Sequence, residues 1–221
     1  ILDKFPAGGP KVLWRSPLNH GYSGPAVFGD RVFVMDRKLG GSARSPDNPF
    51  QRGEIPGDER VLCLSASDGK IIWEHAYDCQ YTVSYASGPR ATPTVDGERV
   101  YTLGAEGDLL CLDTKSGAVK WSHNFKKLFN IKTPTWGFTG APLVDGDLLI
   151  CLASGDGSTA VAFDKLTGEQ KWQALSAKEP GYAPPKIIEH KGKRLLVIWH
   201  PESVNALDPQ SGKVHWTIDW P

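Results

Sequence analysis

A nine-residue phrase recurs four times along the chain, and it limits the possible folds more than any other feature of the sequence. Each copy ends on a tryptophan and carries a glycine four residues earlier. The copies span residues 65–73, 113–121, 164–172 and 208–216. Their spacing, roughly 44 to 51 residues, is typical of a structure built by stacking similar supersecondary units side by side.

The phrase predicts a β-hairpin. An apolar run such as DLLCLD meets a short turn of Asp, Ser, Thr and Gly residues, and a second apolar alternation such as AVKW follows. The glycine that ends the turn takes a positive φ, which supplies the bulge that keeps the two strands in register. The residues at these repeat positions are Gly69, Gly117, Gly168 and Gly212, with Trp73, Trp121, Trp172 and Trp216.

Another pair of short strands precedes each hairpin, so each unit holds four antiparallel strands. A four-stranded unit repeated at this spacing is the blade of a β-propeller. The sequence therefore predicts an all-β propeller segment over residues 1–221, with about four blades and one N-terminal strand. The closing strand is expected at 10–18, with blades at 22–78, 86–126, 138–176 and 182–220.

Strand alternation places one large indole at the same point of each blade, where we expect a wedge between neighbouring blades. Replacing Trp121 by Ala should then cost several kcal/mol. Replacing a surface residue such as Lys126 should have almost no effect. Trp14, in the expected closing strand, would be the indole of a further blade.

One insertion interrupts the regular pattern of the first blade. Residues 37–59, rich in Gly, Pro and charge, stand between its second and third strands. We expect a long surface loop that is partly disordered or contacts a partner.

Composition excludes several classes of function. The 25 basic and 25 acidic residues balance, so no electrostatic argument favours nucleic acid as a partner. No apolar run approaches membrane-spanning length. The first residues lack the basic start and apolar stretch of a signal peptide, so we expect no signal peptide in this chain.

The four cysteines show no metal-binding spacing. Cys63 and Cys111 stand two residues before the phrase, where the later copies have Ala162 and Ala206. That position therefore requires a small residue, and we expect buried structural thiols.

The phrase D-x-x-[ST]-G-x-x-x-W, with a small residue two positions before the Asp, resembles the repeat of the pyrroloquinoline-quinone-like propeller family. The resemblance covers nearly the whole chain, although the first copy has Ser65 and Asp68 at the Asp and Ser/Thr positions. The family includes quinoprotein dehydrogenases, the propeller lipoprotein of the outer-membrane β-barrel assembly machinery, sensor domains attached to kinases and exported bacterial propeller proteins. Its rings usually have eight blades, so the resemblance implies half a ring. Further blades of a parent protein, or a second copy, would close it.

The resemblance also implies where a cofactor would lie. In the dehydrogenases the quinone sits near the ring axis beside a disulfide between adjacent cysteines, with calcium ligands and an Asp base. No two cysteines of this chain are adjacent, and no residues match the calcium set. We therefore expect no cofactor and no metal, and pyrroloquinoline quinone with calcium only if the chain is part of a dehydrogenase.

Aromatic residues recur in the segments that enter each blade. These segments cross one face of a propeller toward its axis, so their side chains could surround the mouth of the channel. The candidate binding residues are Tyr22, Tyr85, Arg90, Trp136, Phe138 and Tyr182. Arg90 would suit an anionic ligand or an acidic loop. The aromatic residues could bind a peptide, sugar or quinone. Alternatively, they plug the channel and hold adjacent blades together.

Two further motifs have structural interpretations. The loop SGDGS at 154–158 contains one carboxylate, too few oxygens for calcium, and is expected to be a hairpin tip. His75 and His123 are expected to pack against the neighbouring blade, since Ala174 and Ile218 occupy the same position elsewhere.

No nucleophile or phosphate-binding motif is present, so the sequence favours a non-enzymatic role, with no catalytic residues. The leading hypothesis is a quinoprotein-like propeller acting as a binding or assembly scaffold in the bacterial cell envelope. It would be periplasmic or otherwise extracytoplasmic, and its partner would be another envelope protein or a peptide. The alternatives are the propeller portion of a quinone-dependent dehydrogenase, or an extracytoplasmic sensor domain of a signalling protein.

Overall fold

The computed structural model describes residues 4–220, and these residues form four sheets. The ends of the predicted segment, residues 1–3 and 221, lie outside the described residues. The first sheet contains β1 Ala26–Phe28, β2 Arg31–Leu39, β3 Gly57–Ser65 and β4 Ile71–Asp78. The second contains β5 Thr94–Asp96, β6 Arg99–Leu103, β7 Asp108–Asp113 and β8 Val119–Asn124. The third contains β9 Leu143–Asp145, β10 Leu148–Leu152, β11 Ala160–Asp164 and β12 Gln170–Ala174. The fourth contains β13 Lys186–His190, β14 Lys193–His200, β15 Ser203–Leu207 and β16 Val214–Asp219.

Each sheet is a simple meander in which every strand pairs antiparallel with the next strand along the chain. The predicted architecture of four-stranded antiparallel blades is confirmed. Between β8 and β9 lies the helix α1, Phe125–Phe129, which begins after Asn124 and ends at Asn130. Within residues 4–220, no helix is long and apolar enough to cross a membrane.

The third and fourth strands of every blade share one irregularity. The register shifts next to the residue opposite the repeat tryptophan, as between Cys111 and Leu112 in the second blade. Gly117, at the end of that turn, has φ +73°, a region that side chains with a Cβ rarely occupy. The predicted glycine bulge is therefore confirmed, and the other three copies repeat it.

The register also explains the small residue before the phrase. Cys111 lies directly across from Trp121, and Ala162 directly across from Trp172. A larger side chain there would compete with the indole for the same space. All four cysteines are buried and free, as expected for structural thiols.

The repeat tryptophans join successive blades. The Trp73 indole donates a hydrogen bond to the carbonyl of Thr114 over 3.0 Å, and a Cβ added to Gly117 would lie 2.6 Å from its ring. The same arrangement joins Trp121 to Gly168 and Trp172 to Gly212. The predicted wedge between blades is therefore confirmed, and the apolar core lies mainly between the sheets.

Residues 10–18 differ from the predicted closing strand. They pair with no other strand among the described residues. Trp14 nevertheless packs on Gly69 and donates to the carbonyl of Ala66 over 2.8 Å, just as Trp73, Trp121 and Trp172 contact the turn of the blade that follows them. The indole contact does not need a paired strand, because its hydrogen-bond acceptor and the glycine on which it packs both belong to the turn of the first blade.

The insertion is shorter and better packed than the sequence suggests. Strands β2 and β3 extend to Leu39 and Gly57, so the irregular part runs from residue 40 to 56. The prediction of a loop over 37–59 was wrong at both ends because charged Arg37 and Glu59 are buried in the sheet. The Ile55 backbone forms a two-way bridge with Tyr81, which ties the loop to the entry of the second blade.

The antiparallel meander gives the blades two different ends. One end, which we call the turn face, carries the repeat turns. The other end, which we call the entry face, carries the segments that enter each blade and the connections between its second and third strands. All candidate binding residues belong to segments at the entry face.

Candidate functional site on the entry face

The entry segments of neighbouring blades lie side by side and hold each other in place. The backbone N–H groups of Tyr22 and Ser23 both donate to the carbonyl of Pro89, over 2.8 and 3.1 Å. In the next pair, the N–H of Ser84 donates to the carbonyl of Thr135 over 2.9 Å. The entry face is therefore a continuous hydrogen-bonded surface on a rigid scaffold.

Four of the six predicted residues meet in one cavity, which we call the aromatic pocket. It has a volume of about 310 Å³ and is lined by Tyr22, Tyr85, Arg90, Trp136 and Thr139. The three aromatic rings are between 37% and 50% exposed, so each can contact a ligand while the scaffold supports it. Thr139 was not predicted; its position three residues after Trp136 in an entry segment was the only signal.

Tyr182 and Phe138 have different positions. The Tyr182 ring packs edge-on against Trp136, with centroids 5.4 Å apart, and extends the aromatic surface toward the fourth blade. Phe138 is fully buried between the second and third blades, where it packs against Phe125. Phe138 therefore contributes to the core and is not available at the surface, because Gly137 turns the chain inward between it and Trp136.

The inserted loop fixes the Tyr85 wall of the pocket. Tyr85 has φ +53°, which is unusual for a residue with a side chain. Its backbone N–H donates to the carbonyl of Pro49 over 2.7 Å, and its ring meets Phe50 edge-on at 5.2 Å. The insertion thus holds a strained residue at the rim, as is common at functional sites.

Arg90 lies behind the rings and combines two roles. Its guanidinium donates to the carbonyls of Gly88, Ser84 and Tyr85, so it stabilises its own entry segment. It also lies 5.4 Å from the centroid of the Tyr22 ring. Burial lowers the pKa of Arg90 below its ordinary value, although nearby Tyr81 and Tyr22 oppose this shift.

Below the pocket is a buried polar cluster that sequence analysis missed. Glu59 is fully buried and accepts hydrogen bonds from the hydroxyls of Tyr77 and Tyr81 and, over 2.9 Å, from the N–H of Ala105. Burial raises the pKa of Glu59, and the two phenol hydrogen bonds oppose this shift. The Arg37 guanidinium stacks 3.9 Å from the centroid of the Tyr81 ring.

No sequence pattern marked this cluster, since Arg37 and Glu59 fell in the segment interpreted as a loop. Their cross-strand pairing in β2 and β3 would have been the signal. The cluster joins the first blade to the second beneath the aromatic pocket. Because Arg37, Glu59 and Tyr81 are fully enclosed, we regard the cluster as support for the site.

A second cavity, which we call the basic cleft, lies beside the aromatic pocket and has a volume of about 400 Å³. Its charged side chains are Arg52, Lys132, Lys178 and Glu179. Glu179 already accepts hydrogen bonds from Thr135 and from the Tyr182 hydroxyl. The cleft therefore presents an excess of positive charge next to the aromatic surface.

A second aromatic group continues the surface beyond Tyr182. The Trp199 and Trp220 rings meet at 5.2 Å and, with Tyr182, line a cavity of about 490 Å³. Both indoles are about half exposed. The entry face therefore carries exposed aromatic rings from the first blade to the fourth.

Lys126 was expected to be a free surface residue, but it forms an ion pair. Its ammonium lies 2.6 Å from the carboxylate of Glu106, which is almost fully buried. This ion pair leads us to expect that the loss of Lys126 does affect stability; nothing in the sequence indicated that Glu106 is enclosed.

The loop at 154–158 and His123 have the predicted structural roles, whereas the ring contact of His75 is with Tyr77 of its own strand. Residues 154–158 connect β10 to β11, and Asp156 accepts a hydrogen bond from the Ser176 hydroxyl. The His123 ring donates a hydrogen bond from Nε2 to the carbonyl of Gly168 over 2.7 Å and stacks on Phe163. Both partners belong to the neighbouring blade. Its role is therefore interblade packing.

The residues described do not fit a quinone and calcium site of the dehydrogenase kind. The four cysteines are buried in separate places, and none is paired with another. Within residues 4–220, no three His, Cys, Asp or Glu side chains are grouped so as to hold a metal. The aromatic pocket offers three rings, the guanidinium of Arg90 and the hydroxyls of Tyr22, Tyr85 and Thr139.

Comparison with known proteins identifies a matching family and relatives that cover most of the chain. A family model described as outer membrane protein assembly factor BamB matches residues 6–124 and, in an overlapping second match, 57–220. An uncharacterized protein of Rickettsia prowazekii is 25% identical over 171 residues, which are 72% of this chain and 37% of that protein. A protein of Rickettsia conorii is 26% identical over 165 residues, with the same coverage. The chain thus spans just over a third of the curated relatives it matches.

Solved structures share the fold at low sequence identity. The crystal structure of BamB from Moraxella catarrhalis has a TM-score of 0.61 at 19% identity, over 93% of this chain and 54% of that one. The quinohemoprotein alcohol dehydrogenase of Comamonas testosteroni has a TM-score of 0.61 at 17% identity, over 93% of this chain and 36% of that one. At these identities the likeness shows a common propeller architecture and no shared activity.

Proposed function

This chain belongs to the pyrroloquinoline-quinone-like propeller family described as outer membrane protein assembly factor BamB, and from this premise we propose that it is a non-enzymatic binding scaffold. Its place would be the bacterial cell envelope, outside the cytoplasm, and its partner an envelope protein or a peptide segment of one. The entry face would be the binding surface.

One observation carries this proposal: the exposed aromatic rings are concentrated on the entry face and held there by the scaffold. Tyr22, Tyr85 and Trp136 surround one pocket. Interfaces are enriched in tyrosine, tryptophan and arginine, which supply large contact areas at low entropic cost. If these rings only plugged a channel, we would expect them to be buried, but each is between 37% and 50% exposed.

The family match supports the location of this function. A chain related to an outer membrane assembly factor would meet its partners in the envelope. The structural neighbours include dehydrogenases, but nothing in the residues described favours a redox reaction over binding. We therefore propose only the scaffold function.

The test is recovery of a partner from solubilised bacterial envelopes through an affinity tag on the protein. We expect a discrete envelope protein to copurify in constant proportion. A variant carrying Tyr85→Ala, Arg90→Ala and Trp136→Ala together should lose it, while Lys213→Glu on the turn face should retain it. Equal recovery with all three proteins, or a measured dye-linked oxidation of alcohols or sugars, would overturn the proposal.

A further inference from the structure

We infer that the aromatic pocket binds a carboxylate of an acidic peptide segment, with Arg90 and Thr139 as its polar contacts. The inference rests on the proposed scaffold function and specifies the chemistry of the partner. The aromatic rings would pack against the rest of the segment, which would continue over the basic cleft.

Arg90 provides the positive charge and the free donors. A guanidinium has five N–H groups. Three of them are used by backbone carbonyls, one from Nη1 and two from Nη2. The remaining two have no acceptor among the described residues, and Arg90 forms no ion pair there. An unpaired guanidinium in an aromatic pocket favours an anion.

Thr139 is the second and independent observation. Its hydroxyl oxygen is buried and has no hydrogen-bond partner within the described part of the chain. The residue lines the same pocket as Arg90. Buried hydroxyls are nearly always satisfied, so an unsatisfied one in a binding pocket indicates a missing partner. When the half-buried Thr139 side chain turns its hydroxyl toward the pocket, a carboxylate oxygen would accept its proton.

The guanidinium also excludes other ligands. Three aromatic rings around a pocket could bind a cationic group. Arg90 would repel such a ligand because it lies behind the same rings, although the buried carboxylates of Glu59 and Glu106 partly offset its charge. The lining also carries the phenol hydroxyls of Tyr22 and Tyr85 and the indole N–H of Trp136, and the charge of Arg90 favours an anion over a neutral sugar.

The basic cleft indicates a peptide rather than a small carboxylate. Arg52, Lys132 and Lys178 are exposed and form no ion pairs with other described residues. Tyr182 lies between the two cavities, because its ring contacts Trp136 of the pocket and its hydroxyl donates to Glu179 of the cleft. A chain with further acidic residues would therefore meet complementary charge as it leaves the pocket.

The experiment measures the affinity of a short blocked peptide of alternating Asp and Phe residues by calorimetry. Matched peptides carry Asn or Lys in place of Asp. We expect the Asp peptide to bind about tenfold more tightly than the Asn peptide, the difference expected for a charge-assisted hydrogen bond. The Lys peptide should bind least, and the preference for Asp over Asn should shrink as salt is raised.

Variants connect the affinity to the residues. Thr139→Val removes an unpaired hydroxyl, so it should leave the protein as stable as before and weaken the Asp peptide about threefold to tenfold. Lys178→Glu should weaken the same peptide, and Lys213→Glu on the turn face should not. Equal affinities for the Asp and Asn peptides, or no effect of both Thr139→Val and Lys178→Glu, would overturn the inference.

The result of the peptide experiment can be distinguished from the result of the envelope experiment. If a partner copurifies through the entry face while the Asp peptide shows no preference, the scaffold stands and the carboxylate site is wrong. If the Asp peptide binds as expected while no envelope partner is recovered, the carboxylate site stands and the scaffold function is wrong.

Discussion

The turn face and the entry face of this propeller segment are built by opposite rules. On the turn face every blade repeats one arrangement, in which a glycine at positive φ receives the tryptophan of the preceding blade. On the entry face no two segments are alike. One blade adds an inserted loop, and another is followed by a short helix. The exposed aromatic rings also come from different positions in each blade.

This difference separates architecture from recognition. A contact repeated in each blade holds the blades together and cannot distinguish one partner from another. Irregular segments on a fixed frame can carry specific contacts, which is why loops on rigid scaffolds often bind. The predictions below test this division, beginning with the largest expected effect on stability.

Trp121→Ala should lower the free energy of unfolding by about 3–5 kcal/mol, because it removes an indole packed between two blades. Chemical denaturation of the purified chain would measure the loss. Lys213→Ala, an exposed residue of the turn face, is the control and should change stability by less than about 0.5 kcal/mol. Similar effects of the two changes would contradict the wedge.

Gly117→Ala should cost about 3 kcal/mol. The new Cβ would meet the ring of Trp73 at 2.6 Å, and the backbone would be strained at φ +73°. Gly97→Ala is a matched control, since Gly97 has φ +57° but nothing lies near its added Cβ. If both glycines behave alike, backbone strain alone matters and the Trp73 contact does not.

Lys126→Ala should cost about 2 kcal/mol, because it leaves the buried Glu106 carboxylate without its cation. Thr133 and Thr82 would still donate to Glu106 and limit the loss. Lys127→Ala, next in sequence and exposed, serves as the control in the same denaturation assay. A cost no greater than that of Lys127→Ala would show that the ion pair is too solvated to matter.

Tyr85→Gly should change stability by less than about 1 kcal/mol, since the relief of φ +53° offsets the lost packing against Phe50. Binding of the acidic peptide should nevertheless fall, because one wall of the pocket is removed. Calorimetry and denaturation on the same sample would separate the two effects. A large loss of stability would mean that this ring is structural.

Replacing Asp113 should have the smallest effect on the free energy of unfolding, and the effect should appear only in how that free energy changes with pH. Hydrogen bonds from the Ser116 backbone and hydroxyl lower the pKa of Asp113 to about 2. The folded state therefore favours the ionised carboxylate, and this stabilisation is present above about pH 4 and lost as the pH falls toward 2. Asp113→Asn should flatten this acid decline in stability, whereas Asp78→Asn, on an exposed carboxylate, should not.

The repeat made most of the fold predictable. Four copies of one phrase are enough to place the glycine turns, the small residue opposite each tryptophan and the four antiparallel sheets, because the same local physics operates in each. The lining of the aromatic pocket was predictable in part. Tyr22, Tyr85, Arg90 and Trp136 were found because aromatic residues recur where the chain enters each blade.

The errors have a common physical cause. Phe138 lies two residues from Trp136, and only the path of the chain through Gly137 decides which ring is buried. Glu59 and Lys126 carry charges that usually indicate the surface, yet tertiary partners enclose Glu59 and bind Lys126. Composition and periodicity contain no information on such partners, because they are distant in sequence and meet only in the folded chain.

The most direct test of the division between the two faces is site-specific photo-crosslinking in cells. A photoreactive residue at Trp136 would report on the entry face, and one at Lys213 on the turn face. We predict a discrete adduct with an envelope protein from position 136 and none from position 213. Equal adducts from both positions, or an adduct only from position 213, would contradict the assignment of binding to the entry face.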